Sequence, residues 1–399
     1  MIQNIIFISI YFGIILYFYK KKIFGSSLLF LYSGIELLIS IFFIEDQLLR
    51  KFLSNQMTCN LLILLGFLLI KKGNTDFKRK YTIVDPNVLK TIFLIFSLFI
   101  FYHWYMIGIP YFSENIHTLR FNLRTSGFFG LPSRLAVYGI TVLFILTLLS
   151  YEKDILKKER LYIYFLIIFI FTSFQSSKSS LLPIFYYLVL CYPLIQIKRA
   201  TIYTYRNFIF SIILIYGYFI LTFGQIGTID NLGILDYLIL RSTVITYDSG
   251  IFLLYKMPEN HFFFVFNNAI LNDLLYPIFT LFTSEVTTLN EQLSRAMYGN
   301  YTGLSVPVTP GWFAYHNFIF RYSVSLTYVY SLIFGLLIGF LDNKVFNSNS
   351  LLTQVALITS LYWLWTGYSK GNLYYIILNL LGSLAVVYMI NIFFKKKVR

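Results

Sequence analysis

Charge, cysteine and proline are all scarce in these 399 residues: 12% charged side chains, two cysteines and nine prolines. An ordinary soluble domain carries about 25% charged residues, so half that share excludes a soluble enzyme. Cys59 and Cys191 lie in or beside apolar segments with no CxxC or Cys/His neighbour, which excludes a disulfide framework and a zinc site. Also missing are GxxxxGK(S/T), a GxGxxG after a strand, HExxH and a DxD pair for a nucleotide-sugar metal. Glu152 and Asp154 form the one acidic-x-acidic pair, inside a lysine-rich loop. No nucleotide, metal or other cofactor is expected.

What is present is apolar. Hydrophobic residues make up 58% of the chain and aromatic ones 20%. Runs near the ~20 residues that cross a bilayer recur from end to end. The expectation is one all-α polytopic membrane domain over 1–399, with eleven spans near 2–19, 23–44, 52–70, 88–109, 134–150, 161–175, 181–197, 207–224, 321–341, 352–368 and 373–394. The first span lacks a basic leader and a small-residue cleavage site, so it reads as a retained helix rather than a signal peptide.

A net charge of +15 would suggest nucleic acid in a soluble protein. Spread over short loops between spans it sets orientation instead, and no nucleic-acid partner is expected. Alternate loops hold 20 of the 32 basic residues, among them Lys20 to Lys22, Lys78 to Lys80, Lys157, Lys158 and Lys395 to Lys397. The positive-inside rule makes these loops cytoplasmic, with the N-terminus outside and the C-terminus inside. The opposite face carries 11 basic residues against 10 acidic ones, and seven of its 11 are arginine, against five of 20 inside. Arginine binds phosphate through a bidentate fork and keeps its charge, so this asymmetry points to an anionic ligand outside.

One connection, 225–320, far exceeds the others and carries seven of the 17 acidic residues. Within it 262–283 is long enough to span, but Asn267, Asn268, Asn272, Asp273 and Pro277 would be costly in lipid. Spanning would also move the terminal lysine cluster outside, so the segment reads as interfacial or re-entrant helices. Amphipathic stretches at 233–246, with Arg241, and 285–299, with Arg295, have apolar faces suited to lying on a bilayer. All four histidines, His103, His117, His261 and His316, fall on or near this face. Glu36 is the acid well inside a span, either protonated, paired or part of a proton relay. Gly335 and Gly339 form a GxxxG, a pattern for close helix contact.

Three stretches resemble Wzy-type O-antigen and capsule repeat-unit polymerases: RFNLRTSGFFGLPSRL (Arg120 to Leu135), the polar hairpin FQSSKSSLLPIF (Phe174 to Phe185), and TPGWFAYHNFIFRYSVSLTYVYSLIFGLLIGFLD (Thr309 to Asp342). The last is similar to the end of that family's large outer loop and the glycine-containing helix after it. Where the family commonly carries an FG..G pair, this chain has Phe320, Arg321, Tyr322 and Ser323. The resemblance implies a glycosyltransferase of the bacterial inner membrane. It would move a growing glycan from polyprenyl diphosphate onto the next lipid-linked unit, with a flippase and a chain-length regulator as partners. Arg120, Arg124, Arg134, Lys178, Arg241, Arg295 and Arg321 become candidates to hold the diphosphate. His316 is the first candidate for the base on the acceptor hydroxyl, with Glu285 or Glu291 as alternatives. Trp312 and outer tyrosines are candidates to stack on sugars or to anchor at the interface. Rival readings are a lipid-linked oligosaccharide flippase or other transporter, and a ligase-like transferase using the same donor. A transporter should show internal repeats and polar groups on several spans, and no repeat is evident.

Overall fold

The computed structural model describes residues 2–21, 26–43, 46–70, 86–109, 131–152, 155–174, 186–187, 190–191, 246–256, 269–279, 288–298, 309–348, 350–371 and 373–394. Among these residues the chain is helical without a strand. The helices are α1 (Ile2–Lys21), α2 (Ser26–Phe43), α3 (Gln47–Ile70), α4 (Pro86–Ile107), α5 (Leu131–Glu152) and α6 (Lys158–Phe174). They continue with α7 (Thr246–Ile251, followed by a π-helical turn Phe252–Lys256), α8 (Ala269–Phe279), α9 (Leu289–Tyr298) and α10 (Gly311–Ile319). The last three are α11 (Val324–Asn347), α12 (Leu351–Lys370) and α13 (Leu373–Phe394).

Local chemistry sets several of these boundaries. Asp46 caps α3 by accepting the N–H groups of Leu48 and Leu49, each at 2.8 Å. Proline at the first position of α4 supplies no N–H where none is needed. Gly371 ends α12 at φ +59°, its N–H bonding the Tyr368 carbonyl at 3.2 Å, a left-handed cap that glycine adopts without strain.

Nine of the eleven expected spans coincide with long described helices, α1 to α6 and α11 to α13, while 207–224 lies outside the described residues and 181–197 nearly so. Three described stretches, Gln47–Ile70, Asn87–Met106 and Val324–Asn347, are long and apolar enough to cross a membrane. Tyr138–Glu152 and Asn379–Ile392 are shorter apolar stretches. A 24-residue helix such as α11 is about 36 Å long, against about 30 Å of hydrocarbon. Its outward face is apolar, with Leu326, Val329, Ile333, Leu337 and Phe340 exposed, while Thr327 and Ser331 are buried. Water would select the reverse arrangement, so this is the pattern of a membrane protein.

The chain forms two compact units, each assembled from three separate stretches. The first comprises Met1–Thr75, Asn231–Asn343 and Trp363–Leu378. Here α3 and α11 meet backbone to backbone. A Cβ placed on Gly335 would stand 2.1 Å from the Ile63 carbonyl oxygen, and one on Gly66 2.4 Å from that of Leu332. Only hydrogen at both positions permits that approach, and Gly339 sits one turn on against Phe67. Buried polar side chains tie the same helices together. Asn60 of α3 accepts the Tyr11 hydroxyl of α1 and donates to the Phe30 carbonyl at 3.2 Å and the Tyr368 hydroxyl at 2.8 Å. Ser26 of α2 donates through Oγ to Asp342 of α11 at 2.9 Å, and Tyr328 donates to Asn55 at 2.9 Å.

The second unit comprises Asp76–Asp230, Lys344–Tyr362 and Asn379–Arg399. Aromatic packing dominates it: Phe93 stacks on Tyr164 with ring centroids 4.0 Å apart, and Trp104 meets Phe171 edge-on at 5.4 Å. Tyr138 of α5 donates to Asn379 of α13 at 2.6 Å. Cys191 is buried here and Cys59 in the first unit, both as free thiols.

Candidate functional site

Helix α10 lies at the end of the long 225–320 connection and is held from several directions within the first unit. Its N-terminal amide at Phe313 donates to Gln56 Oε1 of α3 at 2.7 Å, so a buried side chain of an apolar helix fills one of the donors that every helix start leaves open. Ser249 Oγ of α7 donates to the Thr309 carbonyl at 2.7 Å, and Gly371 approaches so closely that a Cβ would stand 2.3 Å from the Gly311 oxygen. Trp312, at 0% exposure, donates from its indole nitrogen to Ser331 at 2.9 Å and packs on Phe334 and Tyr368. Neither sugar stacking nor interfacial anchoring describes Trp312: it is core, because its one polar atom finds a partner inside.

One turn after Trp312 stands His316, 2% exposed. Its Nδ1 lies 2.9 Å from the Trp312 carbonyl oxygen, which can only accept, so Nδ1 carries the proton. The lone pair is therefore on Nε2, and Nε2 is buried without a hydrogen-bond partner among the described residues. Rings surround the imidazole: Tyr330 stacks on it at 4.7 Å, Trp312 lies at 3.9 Å, and Tyr315 stands edge-on at 5.3 Å. Burial pushes its pKa down from 6.5 to about 4, with the Trp312 carbonyl acting in the opposite sense. At neutral pH the ring is an uncharged base.

Helix α10 ends in a turn that carries Arg321 and Tyr322 at φ 52° and 63°, two consecutive non-glycine residues in the left-handed region. Each costs about 1–3 kcal/mol and persists only where the surroundings impose it. The Tyr322 N–H bonds the Asn317 carbonyl at 2.6 Å, and the Arg321 N–H bonds that of Phe318 at 3.0 Å. Arg321 is exposed. The five-residue interval thus puts His316 inside the unit and Arg321 at its surface.

Asp273 of α8, at 0% exposure, accepts the Tyr315 hydroxyl at 2.6 Å through Oδ2 and the Leu289 N–H at 2.9 Å through Oδ1. Asn272 and Asp273, expected to be costly in lipid, are thus buried against protein. On α9, Leu289 and Leu293 are buried one turn apart while Arg295 is exposed. The apolar face expected to lie on a bilayer packs into the protein instead. Glu291 lies on α9 and Arg134 on α5 of the second unit, their side chains outside the description. Arg120, Arg124, Lys178, Arg241 and Glu285 lie outside the described residues. His316, Arg321, Glu291 and Arg295 thus all belong to the first unit, on α9, α10 and the turn after α10. No group of His, Cys, Asp and Glu suited to a metal occurs among the described residues.

Gln56 and Asn60 went unremarked in the sequence because they are uncharged amides inside an apolar run. The signal available was their spacing, one helical turn apart on the face of α3 that carries Phe52, Ile63 and Gly66 inward. No family model, curated protein or solved structure matches the chain.

Proposed function

We propose that the chain polymerises lipid-linked oligosaccharide repeat units at the outer face of a bacterial inner membrane. It transfers the growing glycan from polyprenyl diphosphate to a hydroxyl of the next lipid-linked unit. The observation that carries this reading is His316: a neutral imidazole with Nδ1 anchored and Nε2 bare, on the helix that joins the long outer connection to a membrane-length helix. In the transfer, Nε2 takes the proton of the acceptor hydroxyl as its oxygen bonds the sugar C1, and the bond from C1 to the diphosphate oxygen breaks. The departing diphosphate is stabilised by outer arginines, of which Arg295 and Arg321 are exposed in the same unit as His316. Because Nε2 is buried, with Tyr330 stacked on the ring and Phe320 at 6.2 Å from it, the transfer requires that the surrounding rings part to admit the hydroxyl.

The eleven-span arrangement with N-terminus outside and C-terminus in the cytoplasm belongs to this proposal. It rests on the division of 20 basic residues against 11 between alternate loops. One observation favours a carrier instead, since Gln56 and Asn60 are buried polar groups within an apolar helix. Both already bond to neighbouring segments, which is how interhelical polar groups hold a bundle together. Deletion of the gene followed by gel analysis of surface glycan separates the readings. Loss of the ladder with a single repeat unit retained supports the polymerase. Loss of every unit supports a flippase and overturns it.

A further inference from the structure

We propose that Asp273 is a positioning residue for this site: its carboxylate fixes α9, which carries Glu291 and Arg295, against α10, which carries His316. The proposal rests on the functional reading above for the role of His316 and on the geometry for everything else. One side chain from α8 bonds two other segments at once, accepting the Leu289 N–H at 2.9 Å and the Tyr315 hydroxyl at 2.6 Å.

Each bond meets a need of its own. Leu289 is the first residue of α9, so its N–H has no partner within that helix. The Thr288 carbonyl takes the Gln292 N–H instead, at 3.0 Å. A carboxylate at this end also lies favourably to the helix dipole. Tyr315 is wholly buried and stands edge-on to the His316 ring, so its hydroxyl bond fixes one wall of the imidazole's enclosure. The partners are 16 and 42 residues from Asp273, a separation that no local turn bridges. A carboxylate with no exposure is among the costliest groups to bury, and it is tolerated where hydrogen bonds satisfy it.

The test uses the full-length protein in lipid nanodiscs with spin labels on cysteines introduced at Ala296 of α9 and at Tyr322, which the turn closing α10 ties to Asn317, both exposed, the native Cys59 and Cys191 being buried. The parent should give one narrow distance distribution, and Asp273→Asn and Tyr315→Phe should broaden or shift it. In parallel assays with lipid-linked repeat unit both variants should lose about ten-fold or more in kcat with KM unchanged, since misplacement by about 1 Å costs up to ~100-fold. Parent-like distances in both variants overturn the proposal. A changed distance with parent kcat reduces Asp273 to a structural tie and overturns it too. Tyr315→Phe keeps the ring volume and decides the matter alone if Asp273→Asn is not recovered folded. If the parent transfers no glycan, the functional reading fails by itself, and the distance measurement still decides whether Asp273 joins α9 to α10.

Discussion

At the scale of single residues the chemistry converges on His316. Replacing it with glutamine keeps a donor for the Trp312 carbonyl but removes the basic nitrogen. His316→Gln should therefore leave lipid-linked donor bound while transfer falls by about 10²- to 10⁴-fold in a reconstituted assay. The imidazole also carries a stability signature. Its pKa is about 4 when folded and 6.5 when free, so the unfolded chain binds the proton first as pH falls. Stability contributed by the neutral ring is present above pH 6.5 and is lost as the pH drops through about 4, a span of about 3 kcal/mol. Thermal melts between pH 7 and pH 4 should show a steeper loss for the parent than for His316→Gln; parallel slopes would contradict the buried neutral ring. Arg295→Lys keeps the charge and loses the fork, and should weaken polymerisation as read on glycan gels. The sequence offered His316 as a candidate base by its type and by its place five residues before Arg321, an interval that separates a buried side chain from an exposed one. Its bare nitrogen was not legible, because the tautomer depends on a carbonyl that only the helical turn brings to it. Asp273 was legible as a group lipid would reject, but its partners stand 16 and 42 residues away.

Among elements, the packing of α3 on α11 is the part most exposed to a single change. Gly335→Ala would put a Cβ 2.1 Å from the Ile63 carbonyl, and the obstruction is backbone that cannot rotate aside. The substitution should cost about 3 kcal/mol or more by forcing the helices apart, read as a lower melting temperature in detergent. Gly13→Ala meets nothing within 4 Å and serves as the control, with a melting temperature at or slightly above the parent's. The glycine pair on α11 announced a close contact in the sequence, whereas its partner surface of Gly66 and the Ile63 carbonyl did not. Helix starts also departed from the apolar pattern, in both directions. α3 begins at Gln47 rather than near 52 because Asp46 caps it, drawing Arg50 and Lys51 out of the expected loop and into its first turns. α11 begins at Val324 rather than 321, because the preceding residues are held in the left-handed turn.

On the scale of the molecule, the charge division makes a topological prediction. Single cysteines near Lys157 and Lys396 should react with an impermeant reagent only from the cytoplasm, and those near Arg124 and Asn300 only from outside. External labelling near Lys396 would break the eleven-span arrangement. The all-helical class was legible because apolar runs of span length leave little else for a chain to form. The division into two units, each built from three stretches, was not, since nothing in a hydropathy pattern says which helices pair. That discontinuity bears on how the protein is made. Asn60 bonds Tyr368 and Ser26 bonds Asp342, so polar groups in the earliest helices await partners more than 300 residues downstream. At roughly 5–20 residues per second of synthesis, their helices enter the membrane tens of seconds before those partners leave the ribosome. During that interval Asn60 holds only its early partners, the Tyr11 hydroxyl and the Phe30 carbonyl, while its second N–H and the Ser26 hydroxyl await α12 and α11, so a chain stalled before Asp342 should be cleaved by protease faster than the full-length protein.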